Sequence, residues 1–215
     1  MGVKASVPND SGWRSDEELR ATAGNDLGSN PTIWTIGHST RAVEEFIAIL
    51  RRRSISSVVD IRTIPRSRKN PQFNLEALSD KLVGHGLIYR HAPELGGLRR
   101  PKPESKNLGM ENDSFRGFAD YMETAGFDLA IKKLIEAVKR SRTVIMCAET
   151  LPWRCHRSLI SDALSVRGIQ VRHIIGDSKD LEHRLSRYAH VEGVVVTYPS
   201  RIAHSGPVEL QTHPF

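Results

Sequence analysis

Thr143-Val-Ile-Met-Cys147, Ala148-Glu-Thr-Leu-Pro-Trp-Arg154 and Cys155-His-Arg-Ser-Leu-Ile-Ser-Asp-Ala-Leu-Ser-Val-Arg167 follow one another and then meet Gly168. The first stretch is apolar and β-branched without alternation, as in a strand covered on both faces. The third carries Leu159, Ile160, Ala163 and Leu164 on one face and stops at a glycine, as a packed helix does. A buried strand, a short loop and a helix make half of a parallel β-α-β unit.

The same alternation extends outward on both sides. Thr32 to Ile36 reads as a strand, with Gly37-His38-Ser39-Thr40 as its break. A helix striped by Val43, Phe46, Ile47 and Leu50 follows, with Ser39 or Thr40 as its cap. Ser57 to Ile61 is a second strand, and Arg62 to Pro71 a polar loop. Asn74 caps a helix bearing Leu75, Leu78 and Leu82 and ending at Gly84. Leu87 to His91 is a third strand. The excursion from Ala92 to about Asn112 is long enough to suggest a functional or mobile loop. Helical pattern returns at Phe115 and runs through Ile131, Leu134, Ile135 and Val138 to Arg140. Gln170 to Ile175 reads as a strand, Leu181, Leu185 and Tyr188 as a short helix, and Gly193 to Thr197 as a last strand. These elements predict an α/β fold: a three-layer, Rossmann-like open sheet, mostly parallel, with helices on both faces. Residues 1–30 read as a flexible polar leader, 31–200 as a single domain and 201–215 as a C-terminal tail.

The chain has 215 residues, 31 Lys and Arg against 25 Asp and Glu, a formal charge of +6, and 39% hydrophobic residues. That composition supports a packed core and argues against wholesale disorder. No apolar run reaches the roughly 18 residues of a membrane span, and the opening residues lack a hydrophobic signal core. A cytoplasmic protein with no membrane partner is expected. Two cysteines are too few for a disulfide scaffold.

Ligands of open parallel sheets gather beyond the carboxyl ends of the strands. Chemistry-bearing side chains fall at four such ends. Cys155 lies at a helix start near Arg154, His156 and Arg157, where its thiol pKa would fall and make it a nucleophile or an anion contact. Cys147 is either a second reactive thiol or a small core residue, and Glu149 follows it. A phosphatase-type loop requires five residues between Cys and Arg, and Arg154 lies one position too far from Cys147. The amides near Ser39 could hold phosphate, or the glycine could simply turn the chain. His38 has no capping role. Asp60 and Arg62 must pair with each other or face the cleft. Arg66, Arg68 and Lys69 form either a nucleic-acid contact or a solvated loop, and Phe73 a base-stacking ring or a core anchor. His91 and Glu94 precede Gly96-Gly97, a loop suited to close approach. His173, inside a strand, reads as a satisfied core residue, and His204 and His213 as residues without a role.

Four motifs in order carry a family resemblance: Ile36-Gly-His38-Ser39; Asp60-Ile-Arg62 with Pro65 and Ser67; Tyr89 with Glu94-Leu-Gly-Gly97; and Cys147-Ala-Glu149 with Cys155-His156-Arg157. Over roughly residues 31 to 200 the chain resembles the bacterial family called Domain of Unknown Function 488. The resemblance implies a compact α/β domain with clustered motif residues and carries no settled activity.

The leading expectation is an anion pocket for phosphate or a nucleotide at the sheet rim. Cys155, His38, Asp60, Glu149 and Cys147 supply its chemistry, and Ser39, Arg62, His91, Glu94, His156 and Arg157 bind the ligand. The alternatives are a nucleic-acid-binding module without catalysis, and a metal or redox thiol protein using Cys147, Cys155 and His156 with His38 or Glu149. The sequence specifies no cofactor and no oligomeric state.

Overall fold

The computed structural model describes residues 31–176 and 180–200. The expected leader and tail lie outside that range, as do His204 and His213. The element order is β1 (Thr32–Gly37), α1 (Val43–Arg52), β2 (Ser57–Asp60), α2 (Leu75–Gly84), β3 (Ile88–His91), α3 (Asp113–Met122), α4 (Ala125–Arg140), β4 (Thr143–Cys147), α5 (Arg157–Ser165), β5 (Gln170–Ile174), β6 (Leu181–Glu182), β7 (His190–Glu192) and β8 (Val195–Thr197). The main sheet runs β3-β2-β4-β1-β5-β6. All its pairings are parallel except β5 with β6. This is the expected three-layer α/β architecture.

The pleat divides the core in two. On one face Phe46 and Leu50 of α1, and Leu78 and Leu82 of α2, pack with Phe73 on Trp34, Ile36, Val58, Val144 and Met146. On the other, α3, α4 and α5 contribute Phe118, Leu134 and Leu159 to a cluster with Ile33, Val59, Ile145 and Cys147. Glu44 and Glu45 open α1 and Arg51 and Arg52 close it, matching the helix dipole.

This layering positions the site. The chain leaving β1 and β2 turns to the α1/α2 face, whereas the chain leaving β4 turns to the opposite face into α5. Because β4 lies between β2 and β1, these departures open a crevice at the carboxyl end of β4. The expected reactive segments end there.

Several local expectations are corrected. The N-cap of α1 is Ala42 and has no side-chain cap, so neither Ser39 nor Thr40 serves. Ser39 instead turns the chain at φ 51°. Asn74 does occupy the N-cap of α2, but its side chain accepts from the Ser67 amide. The helix after β4 begins at Arg157, and Pro152–Arg154 forms a separate 3-10 turn with Cys155 extended behind it. The long helical stretch before β4 divides at Thr124, whose hydroxyl accepts from the Phe127 amide and starts α4.

Leu181, Leu185 and Tyr188 form no helix. Residues 181–182 pair with β5, the His183 amide donates to Val171 O, and Asp162 accepts from the Ser186 amide at 3.0 Å. These bonds override a spacing that only resembles a helical stripe. The expected last strand is β8, paired with β7 outside the main sheet across Gly193 at φ 62°. The Ala92–Asn112 excursion is held rather than loose. Asn107 is buried, donates to Asp120 and Glu123 at 2.8 and 2.9 Å, and accepts the Tyr198 amide at 2.7 Å. Among the described residues no helix is long and apolar enough to cross a membrane.

Candidate functional site

Two clusters of polar side chains occupy the rim, one on each face. The first begins at Asp60, the last residue of β2. The Arg62 amide donates to Asp60 Oδ1 at 3.0 Å, a two-residue turn that folds the guanidinium back onto its own carboxylate. Arg62 Nε then lies 2.9 Å from Oδ1 and Nη2 2.5 Å from Oδ2. Tyr89 on β3 donates its hydroxyl to Oδ2 at 2.8 Å. Arg62 also donates through Nη2 to Phe73 O at 2.7 Å and through Nη1 to His38 Nε2 at 3.2 Å.

These bonds fix the His38 tautomer. Arg62 can only donate, so Nε2 accepts, and Nδ1 therefore carries the proton given to Ser39 O at 2.8 Å. The ring stacks on Phe73 with centroids 4.2 Å apart. Burial lowers the His38 pKa to about 4, against the opposing pull of the Ser39 carbonyl, so the ring is neutral near pH 7. Burial works against the charge on Arg62, but the hydrogen bonds and charge of Asp60 outweigh it and raise its pKa. Burial, then the Asp60 carboxylate, pushes the Tyr89 hydroxyl up. The cluster is neutral as a unit, because Asp60 and Arg62 pair as the first of the two expected arrangements. Phe73 is the core anchor.

The second cluster surrounds the thiols. Cys147 closes β4, Cys155 follows the 3-10 turn, and both are free and buried. Their sulfurs lie 2.9 Å apart, and His156 Nδ1 lies 3.5 Å from the Cys155 sulfur. The contact with Cys147 lowers the Cys155 pKa against the effect of burial, and His156 and the charge of Arg157 act in the same direction. Burial, then the same contact, pushes Cys147 up. The two thiols thus share one contact, and the shifts favour ionisation at Cys155 over Cys147.

Arg157 is the unbalanced member. It is 0% exposed, and its Nη2 donates to the carbonyls of Glu149 and Thr150, while Nε and Nη1 have no partner among the described residues. His156 Nε2 is likewise buried without a partner. A buried guanidinium lacking a full set of acceptors is costly, by several kcal/mol in general. Its charge bears on Cys155, Cys147, His38 and His173.

The glycines explain how four loops come so close. A Cβ on Gly37 would sit 1.8 Å from Glu149 O, the carbonyl that Arg157 grips. On Gly97 it would meet His156 Nδ1 at 2.5 Å, and on Gly96 the Thr63 hydroxyl at 2.2 Å. The amides of His38 and Ser39 donate to Cys147 O and Ala148 O at 2.9 and 3.0 Å, joining the two clusters through the backbone.

The structure therefore gathers Cys147, Cys155, His156 and Arg157 on one face, and His38, Asp60 and Arg62 on the other. Glu149 contributes its carbonyl, since its carboxylate is exposed and accepts from the Leu151 amide at 3.2 Å. His91 Nε2 donates to Arg62 O at 2.8 Å, bracing the loop. Glu94 accepts from Arg99 through its backbone at 3.0 Å, and its loop reaches the thiol cluster through Gly97. Ser39 acts through its backbone. Arg66, Arg68 and Lys69 are exposed. Among the described residues no three His, Cys, Asp or Glu side chains are placed to share a metal ion.

Sequence reasoning missed a buried chain behind Arg157. Asp162 accepts from Tyr198 Oη at 2.8 Å and from His183 Nε2 at 2.9 Å. His183 Nδ1 lies 3.0 Å from His173 Nε2, and His173 Nδ1 lies 2.8 Å from the Thr35 hydroxyl. Burial, then the charges of His183 and Arg157, lower the His173 pKa to about 3. His173 is satisfied, as expected of a core residue. The available signal was Asp162, a carboxylate on the apolar stripe of its own helix. His183 and Asp162 also line a cleft of about 610 Å³ with Trp153 and Tyr188, which the cysteines do not line.

An open α/β sheet with buried thiols and a guanidinium at its topological switch point defines the class. Residues 42–164, more than half of the chain, match the family model described as a domain of unknown function, DUF488. The chain belongs to that family. The matched range starts beyond His38, so the first motif lies outside it. No curated protein and no solved structure matches the chain.

Proposed function

We propose that this protein is a thiol-dependent enzyme in which Cys155 attacks a small electrophile that carries negative charge on oxygen, a phosphate-type group being the simplest case. Nε and Nη1 of Arg157 receive that charge, with His156 beside them. The observation that carries this reading is the fully buried Arg157, two of whose nitrogens have no partner among the described residues, beside two buried sulfurs 2.9 Å apart. In this reading Asp60, Arg62 and His38 hold the ends of β1 and β2 in place and take no part in bond making. Glu149 supports Arg157 through its carbonyl. The reducing cytoplasm suits a pair of free thiols.

The test is alkylation of the full chain with iodoacetamide at about pH 6, where an ordinary thiol is almost wholly protonated. Cys155 is expected to react, inorganic phosphate to slow the reaction, and Cys155→Ser to abolish it. Reaction only above about pH 8, without protection by phosphate, overturns the proposal.

A further inference from the structure

We propose that Cys155 and Cys147 form a hydroperoxide-reducing pair, with Cys155 as the attacking thiolate and Cys147 as the thiol that resolves it into a disulfide. This rests on the reading of Cys155 as a nucleophile and names the electrophile that the surrounding residues fit.

Three features select a hydroperoxide. The cysteines are 3% and 6% exposed, which disfavours the disulfide of another folded protein and favours a small electrophile. The unpartnered Nε and Nη1 of Arg157 can stabilise charge developing on a leaving oxygen. The second sulfur is already in contact at 2.9 Å, which places the resolving thiol beside the site of attack.

The chemistry closes without a metal or cofactor. The Cys155 thiolate attacks the terminal oxygen of ROOH, an S–O bond forms, and the O–O bond breaks. The departing alkoxide or hydroxide takes a proton from solvent. Cys147 then attacks the sulfur of the Cys155 sulfenic acid. An S–S bond forms, and the hydroxyl leaves as water with the proton from Cys147. The two thiols together supply the two electrons that reduce the peroxide, and a small dithiol or thiol reductant restores them.

The experiment exposes the reduced full chain to hydrogen peroxide and to tert-butyl hydroperoxide, with intact mass and dimedone trapping as readouts. Iodoacetamide reactivity at about pH 6 is measured in parallel. The wild type is expected to lose two hydrogens, give no dimedone adduct, recover with dithiothreitol, and react roughly tenfold or more faster than free cysteine. Cys147→Ser is expected to gain one oxygen and trap dimedone, and Cys155→Ser to stay unchanged. The wild-type mass decides the matter even where a variant fails to fold. A wild type that gains oxygen without forming a disulfide overturns the role of Cys147. A chain that ignores peroxide while Cys155 still alkylates overturns the peroxide chemistry and leaves the oxyanion reading intact. A Cys155 inert to both reagents overturns both.

Discussion

The two polar clusters at the sheet rim hold similar groups in opposite states of balance. Around Asp60, the carboxylate meets Arg62 and Tyr89, and Arg62 in turn meets His38 and the Phe73 carbonyl. Around Cys155, a fully buried Arg157 has two guanidinium nitrogens without partners among the described residues. A satisfied buried network fixes geometry, whereas an unsatisfied one retains interaction energy that an incoming group can use. The difference separates a structural brace from a candidate reaction centre, although the sequence presents both as charged strand ends.

The comparison breaks most visibly if the brace is removed. Asp60→Ala leaves the Arg62 charge buried and unpaired, and thermal unfolding should show a loss of about 3–5 kcal/mol, about 6–20 °C in Tm. An unchanged Tm would mean that the pair is not structural.

A smaller effect should appear with pH. The folded state holds His38 at a pKa of about 4, lowered from 6.5 by burial, so the unfolded chain takes up the proton first. The stability tied to neutral His38 is complete above pH 6.5 and declines as pH falls through about 4. His38→Gln should flatten the urea-unfolding stability profile over that window. A profile of unchanged slope would contradict the neutral ring.

Arg157→Met should behave in the opposite way to Asp60→Ala. Replacing an incompletely paired buried charge with an apolar side chain of similar size should leave stability unchanged or raised, while alkylation of Cys155 near pH 6 falls several-fold. A variant that unfolds yet keeps its thiol reactivity would invert the comparison. The smallest effect is expected at the exposed loop. Neutralising Arg66, Arg68 and Lys69 should shift stability by less than about 0.5 kcal/mol. Steeply salt-dependent nucleic-acid binding that this triple variant abolishes would revive the binding-module alternative.

The parallel sheet was legible because buried strands and helices have distinct apolar periods, and β1, β4 and α5 carry them clearly. The gathering of motif residues at the rim was legible because the carboxyl ends of parallel strands lie side by side as a matter of topology. What the sequence could not show is which charges pair. Asp60 and Arg62 are separated by one residue, and only the backbone turn between them directs one side chain onto the other. Glu149 looked like a carboxylate in the site, but its exposed side chain caps a loop amide and its carbonyl meets Arg157. The segment from Leu181 to Tyr188 has a helical spacing that its bonds to Asp162 and Val171 overrule. Long-range hydrogen bonds of this kind leave no periodic trace.

The ultraviolet absorbance of the Cys155 thiolate, followed during acid titration of the folded wild type against Cys155→Ser, bears most directly on these ideas. The account predicts a signal from one thiolate that persists down to about pH 5 and is missing from the variant. A signal that vanishes with a midpoint near the ordinary thiol value of about 8.5 would contradict it.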